Sequence, residues 1–183
     1  MSNVFKFFKG LKAFLSSEER QTRLFWYMLK NHLTESELVF GTYEREKTLQ
    51  VDLEVAENTT LKFEYIVHRS RFFLVCRFLK YEAPEDASEI FILAQHMNNL
   101  IGHDGTLRIE TDDQICSLVF NVDFRPILFG YSGIRELILR HHSITVDARN
   151  AFLRLMLEGE EPAIIIADLM REESDNEDDA DKN

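Results

Sequence analysis

Chain breakers are scarce: the 183 residues include three Pro and seven Gly, so the secondary-structure elements should be long. The two cysteines, Cys76 and Cys116, lack CxxC spacing, which indicates neither a zinc site nor a redox pair. No apolar run approaches the roughly 18–20 residues of a membrane span. The N-terminus has no uninterrupted apolar core and no small-residue cleavage site, so it does not read as a signal peptide, and a reducing cytoplasm is the expected compartment. Basic charge is in deficit. There are 21 Lys and Arg against 32 Asp and Glu, a net charge of −11, and such a body repels a phosphate backbone, so nucleic acid is not expected as a partner. GxxxxGK[ST], GxGxxG and HExxH are all missing, which removes support for nucleotide and zincin chemistry. "GYSG" at 130–133 is one residue short of a nucleophile elbow and reads instead as a helix start. No catalytic residue, cofactor or metal is expected, and the chain reads as a non-enzyme.

What the sequence does hold is apolar bulk. Apolar residues make up 45% of the chain and fifteen of them are Phe, enough to bury one large core. Strand patterns are clean. Leu49, Val51, Leu53 and Val55 alternate with polar residues, as do Leu61, Phe63, Tyr65 and Val67. Next comes "FFLVCRFL", in which Phe72, Leu74, Cys76 and Phe78 face one way and Phe73, Val75 and Leu79 the other. A strand that is apolar on both sides needs cover on both. Pro84 opens a predicted helix whose stripe is Ile90, Leu93, Ala94, Met97, Leu100 and Ile101, with Phe91 and Ile92 off the stripe. Two more strands follow, carrying Leu107 and Ile109, then Cys116, Leu118, Phe120, Val122 and Phe124, on their apolar faces. Helices are predicted over "GIRELILRHH", "VDARNAFLRLMLE" and "AIIIADLMRE".

The densest polar stretch, "HDGTLRIETDDQICSLVFNVDF" at 103–124, invites a reading as a metal or catalytic cluster. Its periodicity disperses it. Cys116 falls on a core face, and Asp112 and Asp113 fall in a hairpin turn, where Asp is favoured for local hydrogen bonding. His103 belongs to the turn before the first of the two strands, and none of these residues is expected to bind a metal. The adjacent His141 and His142 point about 100° apart on a helix, an awkward pair for one metal, and are expected near a helix C-terminus.

Charge is uneven. Residues 1–30 carry six Lys and Arg against two Glu, whereas residues 172–183 carry seven acids against one Lys. The basic end contains an amphipathic segment, 1–15, with Val4, Phe7, Phe8, Leu11, Phe14 and Leu15 on one face and Lys6, Lys9 and Lys12 opposite. The acidic end, 172–183, has no apolar content and reads as a disordered tail. Between them, residues 16–171 form one expected domain, a five-stranded antiparallel sheet with helices packed on one face in the order α-βββ-α-ββ-α.

That order resembles the type III secretion chaperone-like fold, and residues 60–157 resemble the YbjN domain family. The resemblance is carried by "LKFEYIVHRSRFFLVCRFL", by "PEDASEIFILAQHMNNLI" with its Asn98-Asn99 pair, and by "GTLRIETDDQICSLVFNVDF". It implies a non-enzymatic adaptor, regulator or chaperone that binds a protein client, with a homodimer as one form, and it supplies no catalytic residues. Phe73, Val75, Leu79, Phe91 and Ile92 form the candidate partner surface. The alternative is a peripheral membrane protein anchored by residues 4–15, whose three Lys would contribute on the order of 3 kcal/mol at an anionic surface.

Overall fold

Alternation of apolar and polar side chains lays down most of the sheet. A computed structural model describes residues 18–69, 71–82, 87–102, 104–112, 115–124 and 130–180. The strands are β1 Phe40–Tyr43, β2 Thr48–Ala56, β3 Thr59–His68, β4 Arg71–Glu82, β5 Thr106–Asp112 and β6 Ile115–Phe124. All neighbours pair antiparallel, in the spatial order β1-β2-β3-β4-β6-β5. The β2–β3 hairpin turns through Glu57 and Asn58, the latter at φ 58°, a left-handed conformation that Asn tolerates.

The fold is α+β as expected, but the sheet has six strands rather than five. The additional strand, β1, comes from the stretch before Thr48. It is a four-residue edge with Gly41, Thr42 and Tyr43 exposed, so it carries no buried alternation to read.

The helices are α1 Glu18–Glu35, α2 Ser88–Ile101, α3 Gly130–Leu153 and α4 Pro162–Ala180. Phe25, Trp26, Leu29 and Leu33 seat α1 on the sheet, with Phe25 edge-on to Phe72 at 5.6 Å between ring centres. Trp26 also donates its indole N–H to Glu44 at 3.0 Å, and Lys30 and Lys47 pair with the same carboxylate. These contacts clamp α1 to the β1–β2 hairpin. Along α2 the expected stripe of Ile90, Leu93, Ala94, Met97 and Ile101 is buried.

Two expectations about helices fail. The pair predicted over 133–158 is one helix, α3, which runs without a break through Ser143, Ile144 and Thr145. Hydroxyl and β-branched residues are indifferent helix formers, but Ile134, Ile138, His141, Thr145, Ala148 and Phe152 make a continuous buried stripe, and packing overrides propensity. At the other end, the backbone of 172–180 continues α4 into the acidic stretch expected to be unstructured. A helix already started by a packed first half extends at little further nucleation cost.

Between α3 and α4 the chain makes a π-helical turn, Arg154–Glu158, closed by Gly159 at φ 68°. Arg154 holds the junction. Its guanidinium donates to Glu160 at 2.6 and 2.8 Å and to Asp168 at 2.7 Å, tying the turn to the first half of α4. The Glu160 carboxyl is kept below its ordinary range, first by that hydrogen bond.

Candidate functional site

Helices cover one side of the sheet, and the other side carries the candidate surface. On β4, Phe73 and Val75 turn away from the core and are half-buried. Register places Ile66 and Asp123 beside Phe73, Glu64 and Asn121 beside Val75, and Val119 beside Arg77. Ile66, Phe73, Val75 and Val119 therefore form an apolar stripe on the open face. Val119 is 0% exposed there, flanked by Arg77 on β4 and Arg108 on β5.

The charges around this stripe are paired with one another. Arg71 binds Asp123 through both Nε and Nη2, at 2.7 and 2.6 Å. Arg77 lies between Glu64 at 3.8 Å and Glu110 at 3.4 Å. Gln50 donates to Glu64 at 3.1 Å.

Leu79 does not belong to this face. The β4–β6 register slips between Arg77 and Leu79, so that Leu79 pairs with the core residue Leu118 and packs against the core itself. A bulge adds one residue and reverses the alternation beyond it, which strict period-two reading cannot anticipate. Phe91 and Ile92 stand 57% and 48% exposed on α2, away from its buried stripe. The structure thus separates the expected partner surface into a sheet-face stripe and an outer face of α2. Val4, Phe7, Phe8, Leu11, Phe14 and Leu15 lie outside the described residues, as do His103 and Asp113. Asp104, from the same polar stretch, pairs with Arg140 at 2.7 Å.

Beneath the sheet, α3 carries a second constellation. His141 and His142 are expected near a helix end, but they lie mid-helix. Two sequence segments were read as separate helices, and joining them puts His141 on the buried stripe. His141 is 1% exposed, stacked on Phe120 at 5.0 Å and 20°, and edge-on to Phe63 at 5.6 Å. His142 lies 4.3 Å from the Phe63 ring centre and hydrogen-bonds through Nε2 to the Tyr65 hydroxyl. Neither ring nitrogen of His141 has a hydrogen-bond partner among the described residues; the Phe120 carbonyl weakly favours its charged form without completing a bond. Burial pushes His141 down to about 3, with the neighbouring His142 adding to the effect, and burial alone pushes His142 down to about 4.

The Cys76 thiol is pushed up to about 12 by burial and by Glu64, and burial raises the Tyr65 phenol further. At neutral pH all four groups are uncharged, so the cluster supplies neither a thiolate nor an imidazolium. Among the described residues, no three His, Cys, Asp or Glu side chains are placed to hold a metal. No described helix is long and apolar enough to cross a membrane.

No family model and no curated protein matches the sequence. Among solved structures, the chain is similar to YbjN from E. coli, a candidate transcription regulator. The TM-score is 0.48 at 12% identity, covering 69% of this chain and 89% of that one. The likeness is one of outline, and no residue role is carried over from it.

Proposed function

We propose that this chain is a non-enzymatic protein-binding module of the adaptor or regulator kind, and that the open sheet face receives an apolar segment of a protein partner. The observation that supports this reading is the stripe of Ile66, Phe73, Val75 and Val119, framed by side chains that already neutralise one another. Self-paired charges leave little field to draw an ionic ligand, whereas half-buried apolar groups gain about 25 cal/mol for each Å² that a partner covers. Phe91 and Ile92 supply a second apolar surface on α2 that a larger partner could reach.

Val75→Lys tests the reading. Val75 is only half-buried and lies beside Glu64 in register, so the lysine can run its stem along the sheet and meet a carboxylate. The fold should survive, with Trp26 fluorescence unchanged. A protein partner captured by the wild type should be lost by the variant, because a docked apolar segment would bury the charge. Retention of the same partner would refute the assignment. If the wild type is a dimer and the variant a monomer, the occupant is a second copy of the chain. Binding to anionic vesicles that is lost on removing residues 1–15 would favour the membrane reading instead.

A further inference from the structure

We propose that α3 is an acid-releasable latch: protonation of the His141–His142 pair lifts this helix from the sheet while α1 keeps its own anchorage. The geometry leaves nowhere for the protons to go. His141 lies between the Phe120 and Phe63 rings with no acceptor bonded to either nitrogen. His142 uses Nε2 to accept from the Tyr65 hydroxyl. A proton there would turn that acceptor into a donor and force the phenol to reverse its role.

The titratable and charged groups around the pair offer no compensation. From β3 comes Tyr65, from β4 the Cys76 thiol, and from β6 only the Phe120 carbonyl. On α3 itself, Arg140 is engaged with Asp104, and Asp147 lies 3.4 Å from Ser143. Among the described residues no carboxylate, on α1, α2 or the sheet, acts on either ring. The first proton also opposes the second, since the two rings are 6.3 Å apart. A third histidine works in the same sense. His32 is buried on α1, where Arg135 of α3 disfavours its charged form and Glu35 opposes that only in part, so its pKa is lowered, mainly by desolvation.

The sign follows from linkage. All three histidines have folded-state values below the ordinary 6.5. The released state therefore binds more protons, and docking is strongest above about pH 6.5. It weakens as the pH falls toward the folded values, about 4 for His142 and about 3 for His141. Each histidine lowers the docking constant about tenfold per pH unit in that window. From pH 7 to pH 5 the pair together weakens docking on the order of several hundredfold. The other clamps persist, because the Glu44 and Glu160 carboxyls are held below their ordinary range by Lys30 and Arg154 and stay ionised at pH 5. Release is thus selective for α3, a local opening rather than a collapse of the fold.

Hydrogen exchange on the full chain, corrected for intrinsic rates, tests this at pH 7 and pH 5. In the wild type, amide protection in α3 should fall several hundredfold, while the α1 amides and Trp26 fluorescence hold. In the double variant His141→Phe/His142→Gln, which keeps a stacking ring and an acceptor for Tyr65, the fall should shrink to a few-fold. Equal falls in both proteins would overturn the proposal, as would an α3 indifferent to pH, or simultaneous loss of α1 and α3. Should the variant not fold, ring-carbon NMR of the wild type decides. Both rings should remain neutral at pH 5 in the docked state, and a ring titrating near 6.5 there overturns the latch.

Discussion

Replacing Phe120 by alanine should lower stability by about 3–5 kcal/mol, as deletion of a fully buried aromatic ring does. Phe120 is 0% exposed. Register pairs it with Cys76 on one side and Leu107 on the other, at the centre of the β4–β6–β5 sheet. Above it lies the ring of His141, stacked at 5.0 Å. Below the ring edge lies Gly105, where an added Cβ would come within 2.5 Å of the Phe120 side chain. The site is closed on every side and cannot collapse into the space left by truncation. For a chain of this size, the loss corresponds to a fall in melting temperature on the order of 10 °C. A change of about 2 °C or less on thermal melting would mean that Phe120 is not the central packing residue. Leu118, two residues earlier and on the same face, should behave similarly.

Asn98→Leu should be the costliest polar change, at about 2–4 kcal/mol. Late in α2, the Asn98 amide faces the outer edge of β5. It donates to the Leu107 carbonyl at 3.0 Å, and its own oxygen accepts from the Leu107 N–H at 2.7 Å. One side chain thereby satisfies both backbone groups of Leu107, as a seventh strand would. Leucine preserves the volume but leaves two partly buried backbone groups unmet, each at a cost of about 1–3 kcal/mol. Open edges also invite pairing with other chains. The variant should therefore combine a lower denaturant midpoint with a concentration-dependent rise in light scattering. A midpoint equal to the wild type would show that water replaces the amide without loss.

Much of this architecture can be read from period alone. The core faces of β3, β4 and β6 follow from strict alternation, as does the stripe of α2, because a half-buried element leaves its period in the sequence. The failures share a cause: each involves a local feature that interrupts a period or carries none. Leu79 changes sides because one bulge residue reverses the alternation beyond Arg77. β1 is an edge without a buried face. The His141 environment is obscured by the Ser-Ile-Thr sequence, which reads as a helix break; the spacing of Ile134, Ile138, His141, Thr145, Ala148 and Phe152 is the signal that recovers it. Asn98 stands out in the sequence only as part of a pair, since its partner is a backbone segment nine residues on that meets it solely through the fold. The stripe on the open face was half legible: Phe73 and Val75 by alternation, Ile66 and Val119 only once register placed them alongside.

The π-helical turn at Arg154–Glu158 makes chain length itself a structural variable. A π turn is an α-helix with one residue too many, retained because something fixes the path on both sides. Here the fixing element is Arg154, joined to Glu160 and Asp168 across Gly159. Removing any single residue from the turn would restore regular α-helical winding, and everything downstream would rotate by about 100° relative to α3. Asp168 would then swing away from the guanidinium, and Ile165, now fully buried, would leave the core. Substitutions within the turn at the half-exposed Met156 or the exposed Leu157 would keep that geometry. In this short stretch, related chains would be expected to vary in spelling but to hold the count constant.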